Sequence, residues 1–437
     1  VIRRVKIEGY KSLRSVQAEL KPITVLFGPN ASGKSNFLDA LQLLKGIVTK
    51  PTLNEAFEGQ RGSPLEAFTR GTPLQPNKEL ALKLEVEVEA TEGVVKGIKK
   101  SEADFAVSLK AAGLDAEFLQ VMNSTGRPTP ILYSDFLAQG SPHARFRYHC
   151  EILGDRRTGS LTVQAKRADA LGEDWHPLGV SYPDAIAPPV GPLPIQFRGL
   201  MIPSVRHGNA VYAPATVLSR EMTDWRFYNI DPFLIREDRV LRESNEIGSR
   251  GEGFAAFINS LCVNRPKLFD AYRRSLCSLI PSIESVTVSP RDDGELDVRL
   301  VQDGTEQSIR VISEGTLRLM GLLAIAYMPE PPTLLGFEEP ENGVHPGRLE
   351  LIAEIFKSIA ARGTQVVLTT HSPYLPEMFD KESLLVCRRG ENGTVLQPYL
   401  SLDPLGNPLP PGEYLKDADD PDATPISQRI LRGDFGD

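Results

Sequence analysis

Residues 28–35 read GPNASGKS: a glycine, four intervening residues, then Gly-Lys-Ser. Glycines let backbone amides curl around an anion, and a helix starting directly behind adds its positive dipole end. Lys34 is then long enough to reach the outer phosphates of a nucleoside triphosphate, and Ser35 offers a hydroxyl to Mg²⁺. The candidate nucleotide-binding residues are therefore Gly28, Pro29, Asn30, Ala31, Ser32, Gly33, Lys34, Ser35 and Asn36, with ATP and Mg²⁺ as the expected ligands. A chance Gly/Ser-rich turn would explain these eight residues in isolation. It would not explain the apolar run Ile23–Phe27 before them and the amphipathic stretch from Asn36 to Gly46 after them.

A second stretch, LLGFEEPENGVHP at 334–346, ends an apolar run in two adjacent glutamates. Neighbouring carboxylates in a cramped site repel, and one would take up a proton unless a cation sets the local field. Mg²⁺ and Lys34 supply that field. Glu338 is then the metal-side carboxylate, and Glu339 the one that orients the water attacking the γ-phosphate. The alternative is a pair of glutamates capping a strand at a solvated edge. A third stretch, QVVLTTHSP, runs another apolar strand into His371. In a parallel sheet its imidazole shares a rim with Glu339, where it can hydrogen-bond either the γ-phosphate or the water. Lys34, Glu339 and His371 are the candidate catalytic residues, and Ser35 and Glu338 the candidate metal ligands.

SEGT, at 313–316, stands at the start of a long apolar helix. Ser313 suits its cap, and the free amides behind it make another anion site. A single nucleotide hardly needs two phosphate cradles. A two-fold dimer uses both, each chain's Ser313, Gly315 and Thr316 closing over the other's nucleotide. An ordinary serine-capped helix is the plain alternative.

The elements that must position these residues are legible as strand–loop–helix at the amino end, the mark of α/β architecture with its ligand at the carboxyl ends of the strands. Alternation with a period of two over Glu79–Ala90, with further strands expected at Phe105–Leu109 and Ala144–Ile152, predicts an antiparallel lobe. Seven prolines between Pro177 and Pro203 predict a connector without regular structure. Helical texture covers Phe254–Leu279. Strands are expected at Ile283–Val288, Glu295–Val301 and Gln307–Ile312. Strand Thr333–Phe337, helix Arg348–Ala361, and strands Thr364–Thr369 and Ser383–Arg388 follow. From Ser401 a loop-rich segment carries one short helix near Pro425–Leu431.

Composition narrows the class further. With 41% hydrophobic and 24% charged residues across 437 positions, the chain can bury several cores. Four scattered cysteines, without a CxxC pair, suggest neither disulfide framework nor zinc site and fit a reducing cytoplasm. No stretch approaches the roughly 20 apolar residues that span a bilayer. A net charge of -8 argues against a globally basic nucleic-acid clamp, though not against a local positive patch.

In this order, GPNASGKS, SEGT, FEEPENGVHP and TTHSP resemble the nucleotide-binding heads of ABC-type ATPases, in the RecF/SMC/OLD-like branch of AAA-family ATPases. GYKSLRSV at 9–16 is similar to that branch's opening strand and turn. The resemblance implies an α/β fold: a P-loop NTPase head with a mixed sheet around the phosphate loop, an antiparallel β lobe and a helical signature-bearing lobe. It implies that 28–35 is the Walker A loop and that Ser313, Gly315 and Thr316 are the signature, acting in trans. Glu338 stands where aspartate is more usual in Walker B, and Glu339 is the catalytic glutamate. Asn342 and Gly343 lie in the D-loop, and His371 is the switch histidine. Lys11 or Arg14 would be an amino-terminal basic contact, and Gln60 or Gln139 the glutamine of the loop joining the lobes.

The expected organisation is an N-terminal half of the core over 1–175 and a connector with a helical and strand lobe over 176–310. A C-terminal half over 311–400 and a tail over 401–437 complete it. The segment between Ser35 and Ser313 lacks sustained heptads, so no long coiled coil is expected. The stretch after His371 is too short for a TOPRIM nuclease domain, and the acidic run KDADDPDA at 416–423 reads as solvated loop. The expected activity is ATP hydrolysis coupled to head dimerisation. Two uses are open: a process on double-stranded DNA, either repair or defence against foreign DNA, or a switch that holds a separate effector protein without touching DNA. Arg145/Arg147, Arg156/Arg157 and Arg273/Arg274 are the basic clusters that the first would use.

Overall fold

The computed structural model describes residues 1–50, 52–69, 80–90, 145–171, 177–183, 213–237, 239–410, 413–415 and 424–435, with no side-chain description at 165–170, 177–183 and 213–217. The expected strand 105–109, Gln139 and the acidic run 416–423 lie outside the described residues. The chain divides into two compact units. One comprises Val1–Leu20, Asp39–Trp225 and Gly390–Val395; the other comprises Lys21–Leu38, Arg226–Arg389 and Leu396–Asp437.

In the first unit, β1 (Ile2–Tyr10), β2 (Leu13–Glu19), β4 (Leu80–Glu89), β5 (Arg145–Gly154), β6 (Leu161–Leu171) and β7 (Pro177–Pro183) form one sheet in the order β2-β1-β4-β5-β6-β7. Every pairing is antiparallel. Alternation decides the faces: Phe146, Tyr148, Cys150 and Ile152 of β5 are buried, as are Leu82, Leu84, Val86 and Val88 of β4. The charged positions between them meet directly across the register. Arg145 pairs with Glu89 at 3.1 Å, Arg147 with Glu87 at 2.6 Å and Lys83 with Glu151 at 3.1 Å. Such facing pairs stabilise a sheet by about 0.2–1 kcal/mol each. They also occupy Arg145 and Arg147, one of the three arginine pairs that sequence alone offered as a nucleic-acid contact.

The connector expected from Pro177 is corrected at its start, and its residues 184–203 lie outside the described residues. Residues Pro177–Pro183 form an edge strand on β6, its prolines at the two ends, where a missing amide donor disrupts least.

In the second unit, β3 (Ile23–Phe27), β8 (Arg226–Tyr228), β12 (Leu334–Glu338), β13 (Gln365–Thr370) and β14 (Leu384–Gly390) form a sheet in the order β14-β3-β13-β12-β8. The pairings of β14, β3, β13, β12 and β8 are parallel. Every residue of β12 and β13 is buried, as parallel strands covered on both faces require.

A second, antiparallel sheet orders β11-β10-β9 from Ile283–Pro290 (β9), Leu296–Gln302 (β10) and Thr305–Ser308 (β11). The last strand stops earlier than the expected Gln307–Ile312. Ser308 turns its hydroxyl to the Arg310 amide and caps a 3-10 turn over Ile309–Val311 instead. The helical texture of 254–279 is two helices, Phe254–Asn264 and Pro266–Leu279, because Pro266 has no amide to continue the first and suits the first turn of the second.

The short terminal helix is present as Ile426–Leu431 and anchors through Arg429, which is 3% exposed. Its guanidinium donates to the Tyr399 hydroxyl at 2.8 Å, stacks 5.0 Å from the Tyr399 ring and 4.9 Å from Phe435, and lies 3.6 Å from Asp434. Phe435 in turn meets Phe27 edge-on at 5.4 Å, at the residue preceding the phosphate loop. Truncating one member of a buried charged cluster costs about 3–5 kcal/mol. Arg429→Ala is therefore expected to lose about 3 kcal/mol of stability by denaturant unfolding. A loss below ~1 kcal/mol would show that the cage is not a stabilising anchor.

Candidate functional site

Strand register gathers the site. In the second unit Phe27 pairs with Thr370, and Glu338 with Thr369, so β3, β13 and β12 end at one level. The phosphate loop, His371 and Glu339 leave the sheet from those three ends, the rim where α/β sheets hold ligands.

The loop itself is curled by local backbone geometry. Gly28, Ala31 and Gly33 all have positive φ, at 149°, 59° and 109°. A Cβ at Gly28 would lie 1.9 Å from the Cys387 carbonyl oxygen on β14, so the backbone passes too close for any side chain. Helix Lys34–Thr49 follows at once, Phe37 making its first bond to the Gly33 carbonyl at 3.1 Å. By helix geometry the amides of that first turn point back into the loop. Lys34 is buried and its ammonium donates to the Gly28 and Pro29 carbonyls at 2.8 and 2.7 Å. Burial pushes its pKa below the usual lysine range, while the Glu339 and Glu341 charges act against that shift.

Glu338 is buried, and one of its carboxylate oxygens accepts from Asn229 Nδ2 at 2.8 Å. Glu339 occupies the left-handed region at φ 46°, a conformation that costs a non-glycine residue about 1–3 kcal/mol. Its amide is fixed to the Thr369 carbonyl at 2.9 Å. Its carboxylate accepts from Asn342 Nδ2 at 2.6 Å and stands 3.3 Å from His371 Nδ1. The two glutamates thus diverge: one is buried among strand ends, the other turned toward the half-exposed imidazole.

Glu341, in the same quoted stretch but given no role from sequence, holds the histidine loop. Its Oε1 accepts from the Thr370 hydroxyl at 2.5 Å and from the His371 and Ser372 amides at 3.2 Å each. A third carboxylate in FEEPEN was the available signal; what it would bond depended on the neighbouring strand.

Ser313 caps helix Glu314–Ala326, its hydroxyl accepting from the Thr316 amide at 3.4 Å and donating to the Thr316 hydroxyl at 2.9 Å. Ser313 is exposed and Thr316 buried. Gly315 lies so near the Gly343 carbonyl of the same chain that a Cβ would approach it to 2.6 Å. Gly315 is thereby packed against the Gly343–Val344 backbone of its own chain.

The remaining candidates belong to the first unit. Lys11, at φ 46°, pairs with Asp39 at 2.7 Å. Arg14 runs beside Gly393. Gln60 Oε1 accepts from the Tyr10 hydroxyl at 2.7 Å, and its buried amide nitrogen has no hydrogen-bond partner among the described residues. No described helix is long and apolar enough to cross a membrane, and all four cysteines are free thiols.

Two family models match the chain. One, described as "AAA ATPase domain", matches residues 1–108; the other, "AAA domain, putative AbiEii toxin, Type IV TA system", matches 264–376. The chromosome partition protein Smc of Synechocystis sp. is 40% identical over 73 residues, which are 14% of this chain and 6% of that protein. This chain therefore matches a small part of that relative's length. Among solved structures, an Smc head bound to the C-winged helix domain of ScpA aligns with 91% of this chain and 97% of its own at TM-score 0.51 and 11% identity. The SMC head domain from Thermotoga maritima aligns with 91% and 98% at TM-score 0.41 and 14% identity. The first of these carries the fold: a mixed α/β P-loop NTPase of the SMC-head type. An AAA ATPase domain model matches the segment holding the phosphate loop and an AAA domain model the segment holding the paired glutamates, and together with the fold these matches support an ABC/SMC-like ATPase head.

Proposed function

We propose that the chain hydrolyses ATP with Mg²⁺ in a site completed by a second copy, and that nucleotide-dependent pairing of two heads drives a DNA-related process, repair or defence against foreign DNA. The observation that carries the ATPase chemistry is the shared rim: register sets the ends of β3, β12 and β13 level, so loop, carboxylates and imidazole converge. The residues fit the ligands. Three left-handed positions within residues 28–33 make a concave run of backbone, suited to phosphate. Ser35 and Glu338 are hard oxygen donors, the kind Mg²⁺ takes.

Lys34 would exchange its two loop carbonyls for phosphate oxygens. Ser35 and Glu338 would hold Mg²⁺, which when bound offsets the phosphate charge. Glu339 would orient the attacking water, with His371 hydrogen-bonded to it and able to reach the γ-phosphate. Glu341 would hold the His371 backbone in place. The exposed Ser313 would meet the nucleotide of the opposite head, as the partner's Ser313 would here.

Ser313→Arg places a long cation where the opposing head must close. Turnover is expected to fall roughly 100-fold or more, since small misplacements of a reacting geometry already cost that much. Each chain should still bind ATP with unchanged affinity by equilibrium titration. Turnover at the wild-type rate would remove the shared site.

A second reading, a nucleotide-gated switch acting on a separate effector protein without DNA contact, is favoured by the ion pairs that occupy Arg145, Arg147 and Arg273. Double-stranded DNA titrated into the ATP-bound Glu339→Gln protein at several salt concentrations separates the two. A steep fall of log affinity with log salt supports the DNA reading. No DNA binding, with a co-purifying protein released by ATP, supports the other.

A further inference from the structure

Ser313 sits at a joint between two structured neighbours. Before it, the 3-10 turn Ile309–Val311 closes when the Ile312 amide donates to the Ile309 carbonyl at 3.3 Å. After it, the Ser313 carbonyl accepts from the Leu317 amide at 3.0 Å and opens helix Glu314–Ala326. Ile312 itself is extended, at ψ 143°, so its carbonyl serves neither turn nor helix. A third element takes it. Arg236, on the short helix Pro232–Glu237, donates from Nη2 to the Ile312 oxygen at 2.8 Å. Its Nη1 stands 3.9 Å from Glu314 Oε1. One guanidinium thus meets the residues on both sides of Ser313. The helix that carries it is anchored in turn. Asp231 accepts from the Phe233 amide at 3.0 Å and pairs with Arg250 at 2.7 Å. Ile235 is buried, and a Cβ at Gly321 of helix Glu314–Ala326 would lie 2.9 Å from its side chain, so the two helices pack closely.

From this geometry we infer that Arg236 is a positioning residue for Ser313, acting through the Ile312–Ser313 peptide on the nucleotide of the opposite head. The Ile312 oxygen and the Ser313 N–H belong to one planar unit and point opposite ways. Gripping the oxygen therefore sets the direction of the Ser313 amide. The Ser313 hydroxyl is fixed from the other side, by the Thr316 amide and hydroxyl. Ser313 is exposed, and no cavity of its own chain holds it for an anion carried by another molecule. Its backbone must be set before the heads meet, or the ordering is charged against their association. A planar fork suits this task, because it spans two acceptors in one rigid geometry where an ammonium offers a point charge. The carbonyl is the stronger of the two contacts: the Arg236 side chain is only 22% exposed, while Glu314 is 69% exposed and its pairing is long.

This role rests on the shared-site reading above, and mixed dimers of full-length chains keep the two apart. Glu339→Gln and Ser313→Arg are each expected to be nearly inactive alone. Mixed before ATP is added, they should recover turnover, because a mixed dimer holds one site with an intact Glu339 and an intact Ser313. Arg236→Met keeps the length but cannot donate, and is expected to lose turnover about 10–100-fold while each chain binds ATP as before. Mixed with Glu339→Gln it should recover to the level of that control, since its own loop and carboxylates then meet a well-placed Ser313. Mixed with Ser313→Arg it should stay low, since neither site then has one. Arg236→Lys keeps the charge without the fork, should lose more than about 2-fold with the same pattern, and carries the test if the methionine variant unfolds. Turnover within about 2-fold of wild type in either folded variant overturns the inference and leaves the shared site standing. Recovery with Ser313→Arg but not with Glu339→Gln overturns it by placing Arg236 at its own chain's nucleotide. Recovery with neither overturns it by making Arg236 a general support of the fold. A control mixture that recovers nothing, while the wild type hydrolyses ATP, overturns the shared site and the Arg236 role together.

Discussion

Glu339→Gln is expected to bind ATP at close to wild-type affinity, hydrolyse it about 10²–10⁴-fold more slowly, and accumulate as a dimer. The rate follows from the water-orienting role proposed for Glu339, since removing a positioned side chain of that kind typically costs that factor. Folding should be spared. Asn342 Nδ2, which donates to Glu339 at 2.6 Å, finds an amide oxygen in glutamine, and the fixed Glu339 amide-to-Thr369 bond does not involve the side chain. The positive φ of residue 339 strains glutamine and glutamate alike. Loss of the negative charge also removes a repulsion against the γ-phosphate, which favours the loaded state. Sedimentation with ATP and with ADP, beside a phosphate-release assay, reads all three. Turnover within 3-fold of wild type would remove Glu339 from the chemistry and leave His371 or Glu341 to be considered in its place.

Lys34→Ala is expected to weaken ATP binding by roughly 100-fold, since a hydrogen bond to a charged group is worth about 1.5–3 kcal/mol. Without ligand, the ammonium satisfies the carbonyls of Gly28 and Pro29, so its removal also loosens the loop. Two effects therefore fall in one direction. They separate by temperature: the loop term appears as a lower melting temperature of the ligand-free protein, the phosphate term only in the nucleotide titration. Burial disfavours the charged lysine, and an anion bound beside it would shift the balance back toward the cation. Unchanged ATP affinity in this variant would mean that the curled loop binds something other than phosphate.

Much of the site was legible because its parts are short and local. GPNASGKS carries its own turn chemistry, and an apolar run ending in a charged residue marks the carboxyl end of a buried strand. Ile23–Phe27 falls where expected, and the strands before Glu339 and His371 shift by one residue. The strand β8 was not legible, since Arg226–Tyr228 is three residues long and too short to show a period. With it went Asn229. The role of Glu341 was hidden for a different reason: its partners Thr370, His371 and Ser372 sit at the end of the neighbouring strand and in the loop that leaves it, reached only when β12 and β13 pair in parallel.

The arginines show the converse. On the page of residues, Arg145 and Arg147 are a basic doublet on an alternating strand. Paired with β4 they face Glu89 and Glu87 and lose most of their claim on an external anion. The division is physical. Backbone dihedral preferences, caps and hydrophobic period act over a few residues, and so the curled glycine loop, the serine-capped helix and the strand-ending carboxylates were set by the order of amino acids. Strand order and register join residues more than a hundred positions apart, as in Asn229 with Glu338, and those depend on which buried surfaces pack together. Only the folded chain chose them.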